Sequence, residues 1–500
     1  MSRRLRLSLV LAAAAAVVVV VALLASGAFS SAGSRGDPAK AVPPSAAVYA
    51  YAELHPGGEP GTSVRHVLGH VLGDGDDPGP MLRSLADATL GRVGLSYDRD
   101  IAPWVGSRIG VFVTRFGPRF EGAIVAAAED DDLARRTLGH TGKPWAVVDG
   151  VGVVGTAGAV RAARRAASSG ISLASSDRYT QATGPRQSPV ALAFVDAAYL
   201  VEALPASLIG ANRKRDLRLR FARIEDKPTV ISITGDDDRI AVDFGNPPAP
   251  PDPSSPTPVG GGQRGTSLLP TRLIYTLPAQ SWLALDVPEL GQRLFEALSP
   301  EVNPGLPSDQ LRALQRRFAR ATGLRPLEDI VTWIGSGALF AYGATPATLH
   351  AGVILESLDP GAARRTAVVL GRWLARQPGV RVRSTPEGYA VSAPGLAAPV
   401  SVVVRGNRVA VVYGRGDPAG ALDAPVKLGT VPAFRAAASR LGGTLLPVGW
   451  LTPGRAAAFA AALGAARSPL FRAAVPYLQR IAYLQLGIKR AKRRVLIAAR

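Results

Sequence analysis

Asp100-Ile101-Ala102-Pro103-Trp104-Val105-Gly106-Ser107 returns 229 positions later as Asp329-Ile330-Val331-Thr332-Trp333-Ile334-Gly335-Ser336. The same spacing sets Gly122-Ala123-Ile124-Val125 on Ala351-Gly352-Val353-Ile354, Asp130 on Asp359, and Ala134-Arg135-Arg136-Thr137 on Ala363-Arg364-Arg365-Thr366. Register held over that distance predicts two copies of one module. After 27 extra residues in the second half the spacing becomes 256, which sets Val147-Val148-Asp149-Gly150 on Val403-Val404-Arg405-Gly406 and Asp196 on Thr452.

Within a copy the apolar period alternates between that of a strand and that of a helix. Val48–Tyr51 reads as a strand, and Thr62–Leu72 as a helix with Val64, Val67, Leu68, Val71 and Leu72 on one face. Arg108–Arg115 with Gly122–Ala128, and Val147–Asp149 with Val151–Val154, read as strand pairs, each followed by a helix, Asp131–Leu138 and Ala157–Ala167. Thr229–Ile233 with Arg239–Val242 closes the first copy as a hairpin, and Ile481–Leu486 with Arg494–Ile497 closes the second. Strands arriving in adjacent pairs imply an α+β fold: mostly antiparallel sheet with helices on one face.

Composition fixes the address more firmly than the activity. The 500 residues are 47% apolar and 19% charged, which describes a globular chain with room for two or three domains. The net charge of +20 comes mostly from Arg and bears on solubility and loose association, not on fold. With no Cys, disulfides, thiolate metal sites, a Cys nucleophile and a lipidated Cys are all excluded. Arg3, Arg4 and Arg6 precede an uncharged stretch, Leu7–Gly27, about the ~20 residues needed to cross the hydrocarbon core. Retaining these charges inside exports the remainder. A cleaved signal peptide is the alternative, with small residues at Ala25-Ser26-Gly27 and Ser31-Ala32-Gly33, but the apolar run exceeds the usual ~7–15 residues. The expected organisation is therefore a cytoplasmic stub and transmembrane signal-anchor (1–30), module one (41–245), a Pro/Gly/Ser-rich linker (246–267) and module two (268–500). The protein is expected at the plasma membrane, single-pass, with its bulk extracytoplasmic.

The opening Pro44-Ser45-Ala46-Ala47-Val48-Tyr49, the Asp-Ile-x-x-Trp-x-Gly-Ser motif of each copy and the Arg-flanked anchor resemble an exported actinobacterial family described as domain of unknown function three-three-five-two. The resemblance spans nearly everything after residue 41. It implies a cell-envelope protein and brings no catalytic residues. Thr332 stands where that family's pattern has Pro, so the turn is expected to matter more than the side chain.

Candidate chemistry has structural readings at each place. Gly150-Val151-Gly152-Val153-Val154-Gly155 matches G-x-G-x-x-G, but a dinucleotide loop must lead into a helix, and here the glycines lead into a second strand. Gly139-His140-Thr141-Gly142-Lys143-Pro144 lacks the spacing of a phosphate loop. His66 and His70 have metal-ligand spacing, yet lie opposite the apolar stripe with no third ligand; His55, His140 and His350 suggest no triad. Glu129-Asp130-Asp131-Asp132 reads as a helix start, and Trp104 and Trp333 as core plugs. The basic clusters Arg213-Lys214-Arg215 with Arg218 and Arg220, and Lys489-Arg490 with Lys492-Arg493-Arg494, read as solvated turns; outside a cell, anionic lipid or cell-wall polymer is the partner they fit, and nucleic acid is not. No catalytic, cofactor-binding or metal residue is assigned, and no cofactor is expected. The expected function is non-enzymatic binding or scaffolding in the envelope; the alternatives are a carrier of a lipid or other apolar ligand, and an enzyme with a dispersed site.

Overall fold

A computed structural model describes residues 36–54, 58–72, 95–117, 119–184, 189–204, 214, 228–236, 239–245, 272–299, 308–442, 445–489 and 492–499. The expected anchor and linker lie outside these residues. Among the described residues no helix is long and apolar enough to cross a membrane. The architecture is α+β, with extensive antiparallel sheet and helices. The chain divides into two compact units, drawn mainly from residues before and after position 262.

The first unit contains β1 (Val48–Glu53), α1 (Gly58–Leu72), β2 (Val105–Arg115), β3 (Glu121–Ala128), α2 (Asp131–Gly139), β4 (Trp145–Val148), β5 (Val151–Gly155), α3 (Ala157–Ser169), α4 (Asp177–Thr183), β6 (Ala191–Val195), α5 (Ala197–Ala203), β7 (Thr229–Asp236) and β8 (Arg239–Gly245). Its strands pair antiparallel in the order β4-β5-β3-β2-β1-β6-β7-β8. The second unit contains β9 (Leu283–Val287), α6 (Leu290–Leu298), α7 (Ser308–Thr322), β10 (Ile334–Tyr342), β11 (His350–Ser357), α8 (Pro360–Ala375), β12 (Arg381–Thr385), β13 (Gly388–Ser392), β14 (Val400–Arg405), β15 (Arg408–Tyr413), α9 (Pro432–Arg440), β16 (Leu446–Leu451), α10 (Pro453–Ala462), α11 (Pro469–Arg480), β17 (Ile481–Lys489) and β18 (Lys492–Ala499). Its strands run β12-β13-β14-β15-β11-β10-β9-β16-β17. From β14 onward this order matches that of the first unit strand for strand.

The extra residues of the second half form an edge hairpin, β12-β13, with a longer helix beneath it. Helix α8 has 16 residues where α2 has 9. The added length lays Gly371 against the Tyr389 ring, where a Cβ would come within 3.1 Å.

The expectation of helices on one face is corrected: both faces of the sheet are covered. Along β3, Ala123 and Val125 enter a core with Tyr49, Phe112 and Phe194, and with Ala159, Val160 and Ala163 of α3. Ala126 and Ala128 enter another core with Ile101, Trp104 and Ile109, and with Ala134 and Leu138 of α2. Neighbouring strand residues point to opposite faces, so α2 and α3 cover opposite sides. The unbroken apolar run Ala123–Ala128 is the pattern of a strand buried twice. In the second unit β11 divides likewise, Ile354 facing α9 residues Phe434 and Ala437, and Leu355 facing Ala363 and Ala367 of α8.

Two boundaries also move. Helix α1 begins at Gly58, four positions before the expected start, because Pro60 falls in the first turn, where the missing N–H has no helical partner to lose. Asp149 is not a strand residue: with φ of 49°, and Gly150 at 73°, it forms a two-residue hairpin turn. The matching turn of the second unit is Gly406-Asn407, so the spacing here is 257, one more than the sequence alignment took.

Candidate binding cleft

The repeated motif resolves into a local knot. A single π-helical turn, Tyr97–Ile101 or Pro326–Ile330, precedes each Trp. The Trp104 indole N–H donates to the Asp100 carbonyl at 2.8 Å, and that of Trp333 to the Asp329 carbonyl at 3.1 Å. Each Asp carboxylate accepts a backbone N–H four residues back, from Ser96 or Arg325, at 2.7 Å. The Trp carbonyls accept N–H groups from Glu129 and Leu358 at the end of the following hairpin. Around Trp104 these bonds satisfy polar groups that burial would otherwise strand, whereas the Asp329–Arg325 bond of the second unit is exposed. Trp104 is fully buried and Trp333 nearly so, while Pro103 and Thr332 are both exposed, which explains why that position tolerates either residue.

This packing also accounts for the glycines of the G-x-G-x-x-G run. Gly150 takes a left-handed φ in the turn. A Cβ on Gly152 would lie 2.3 Å from the Trp104 ring, and one on Gly155 would lie 2.5 Å from the Gly122 carbonyl oxygen. The run leads from β4 into β5 and not into a helix.

Other sequence candidates hold structural places. Asp130 caps α2 by accepting from Asp132 and Leu133 N–H, and these bonds hold its carboxyl below the usual range; Asp359 accepts from Ala362 N–H at the start of α8. His66 and His70 are exposed, their rings 4.4 Å apart. The His140 ring meets the Arg136 carbonyl, and His350 stacks on Tyr342; His55 lies outside the described residues. Among the described residues no three His, Asp or Glu side chains cluster as metal ligands. Of the first basic cluster only Lys214 is described, and its ammonium donates to the Glu202 and Leu204 carbonyls at the end of α5 at 2.8 and 2.7 Å. Lys489 and Arg493 are exposed.

A half-buried charged cluster in the first unit was not anticipated. Arg108 on β2 bonds Glu53 opposite it on β1, reaches Asp37 at 3.3 Å and lies 4.6 Å over the Tyr51 ring. Burial works against the Arg108 cation, but Glu53 outweighs it and keeps the group charged. Burial pushes the Tyr49 and Tyr179 phenols far up, so neither ionises near neutrality to act as base or nucleophile.

An open concavity lies elsewhere in the same unit. A cleft of about 570 Å³ is bounded by the β2–β3 hairpin, α3 and α5. The hairpin supplies Arg115 and Glu121, whose charged atoms are 3.5 Å apart. Helix α3 supplies Gly158, Arg161, Ala162 and Arg165, a stripe at i, i+3, i+4 and i+7. Helix α5 supplies Tyr199, Glu202 and Ala203. The opposite face of α3 carries the buried Ala159, Val160, Ala163 and Ala166, which fixes the arginine stripe outward. Glu121 sits beside Gly158 at the α3 N-terminus, where a Cβ would meet its carboxylate at 2.9 Å, so the helix dipole there already has an anion. Arg161 and Arg165 have no ion-pair partner among the described residues. The legible signal was two arginines at i, i+4 opposite an apolar stripe with no acid three or four residues away.

No family model, curated protein or solved structure matches the chain.

Proposed function

We propose that this is a membrane-anchored, extracytoplasmic envelope protein that binds or scaffolds and does not catalyse. Residues 1–30 hold it in the plasma membrane as a single span. Two modules descended from one by duplication, 41–245 and 268–500, stand outside, joined by the linker 246–267. Membership of the exported family it resembles belongs to the same reading. The carrying observation for the duplication is the strand order shared by the two units, together with the Asp-carbonyl-to-Trp knot at the same point of each. The binding reading draws on the charged cleft and on two buried carboxylates held by structural partners: Asp196 by Arg178 and an α5 cap, Asp100 by Ser96 N–H and Arg99. A cleft lined by Arg115, Arg161 and Arg165 against Glu121 and Glu202 carries a positive excess, which favours an anionic partner over an apolar one, so the carrier alternative is not advanced.

The Cys-free sequence makes the topology directly testable. Ser168→Cys in the first unit and Ser439→Cys in the second are exposed positions. Both variants should react with a membrane-impermeant maleimide on whole cells. Protection of both until lysis would overturn the placement outside the membrane.

A further inference from the structure

We propose that the cleft between the β2–β3 hairpin, α3 and α5 binds a phosphate monoester or diester, with Arg161 and Arg165 as the recognising forks. This deepens the binding reading above, on which it rests only for the source of the ligand. Two guanidinium groups one helical turn apart repel each other, and on α3 no carboxylate offsets them. Helix α3 keeps both on the cleft wall because its other face is committed to the core. Arg115 is partly neutralised by Glu121 and forms a third, weaker donor at the hairpin end. A phosphate monoester carries about −1.5 to −2 charge on three acceptor oxygens and a diester about one charge on two, and either tetrahedral group can turn an oxygen to each of two forks, whereas one planar carboxylate matches one. Tyr199, 37% exposed on the opposite wall, offers a flat apolar surface with a hydroxyl tip for the glycerol or sugar beyond the phosphate.

The second unit bears on the assignment by difference. It keeps the strand order and the Trp knot, but after β15 it has the short 3-10 turn Pro418–Ala421 where the first unit has the 13-residue α3 after β5. The arginine stripe is therefore not needed to build the sheet.

The test uses the full chain in phosphatidylcholine nanodiscs, titrated calorimetrically with glycerol 3-phosphate and, separately, with monomeric dihexanoyl phosphatidylglycerol. Arg161→Gln/Arg165→Gln should weaken binding about tenfold or more, with an unchanged thermal unfolding profile. Lys489→Gln/Arg493→Gln should leave binding unchanged. Binding of glycerol 3-phosphate that the double arginine variant loses supports the site with a soluble phosphate ester as its source. Binding of the short-chain lipid alone, lost in the same variant, supports a lipid headgroup. If neither probe binds up to about 10 mM, or the arginine variant binds like the parent, the proposal is overturned. These results do not depend on the maleimide experiment, so the ligand site and the topology can fail separately.

Discussion

At the residue scale, Gly152 shows how a motif can be right in letters and wrong in chemistry. Its missing side chain makes room for the Trp104 indole and not for a pyrophosphate. Gly152→Ala should destabilise the protein by roughly 1–3 kcal/mol through overpacking. In a Trp104→Leu background the same methyl should cost less, by about 1 kcal/mol, because its obstacle is gone. Urea unfolding of the four proteins of that cycle measures both numbers, and equal costs in the two backgrounds would contradict the contact. The repeated Asp was legible as a motif from sequence, but its use was not: the side chain accepts a backbone N–H four residues before it, while its own carbonyl receives the indole.

Among the elements, helix starts carry much of the local order. Asp196 is fully buried at the start of α5, where it accepts from Ala198 and Tyr199 N–H and holds the Arg178 guanidinium at 2.6 and 3.0 Å. Asp196→Ala removes the cap and the charged bonds together, and should cost about 2–3 kcal/mol in chemical denaturation. Because α5 forms one wall of the cleft, the same variant should weaken phosphate binding without touching a fork. A variant as stable as the parent would show that the cap is dispensable. The corresponding position, Thr452, starts α10 with no side-chain bond, so the two helices share a place in the chain and not a capping chemistry.

For the whole molecule, both units contain carboxylates held below their ordinary range. The causes are the Arg99 hydrogen bond and Ser96 N–H for Asp100, the Arg325 N–H and side chain for Asp329, and Arg405 for Glu387. A group whose pKa falls on folding stabilises the fold fully above its unfolded value and loses that contribution as pH drops through the folded one. Stability should therefore be level from neutrality to about pH 5 and decline below about pH 4. Asp100→Asn keeps the shape and the backbone acceptor but cannot titrate, so its stability should decline less steeply below pH ~4. A parallel decline in parent and variant, followed by circular dichroism, would contradict the assignment.

The sequence by itself determined the α+β class and the elements that it marks plainly, among them the strands at Val48–Tyr51, Arg108–Arg115 and Gly122–Ala128 and the two closing hairpins, because hydrophobic period and turn residues act locally. It did not determine which face each helix covers, nor that Arg115, Arg161, Arg165 and Tyr199 share one cleft. Those follow from β3 lying between β2 and β5, a pairing of backbone groups that nearly any side chain permits. Only the closing of the whole sheet, with apolar surface removed from water on both sides, selects that pairing and turns distant arginines toward one space.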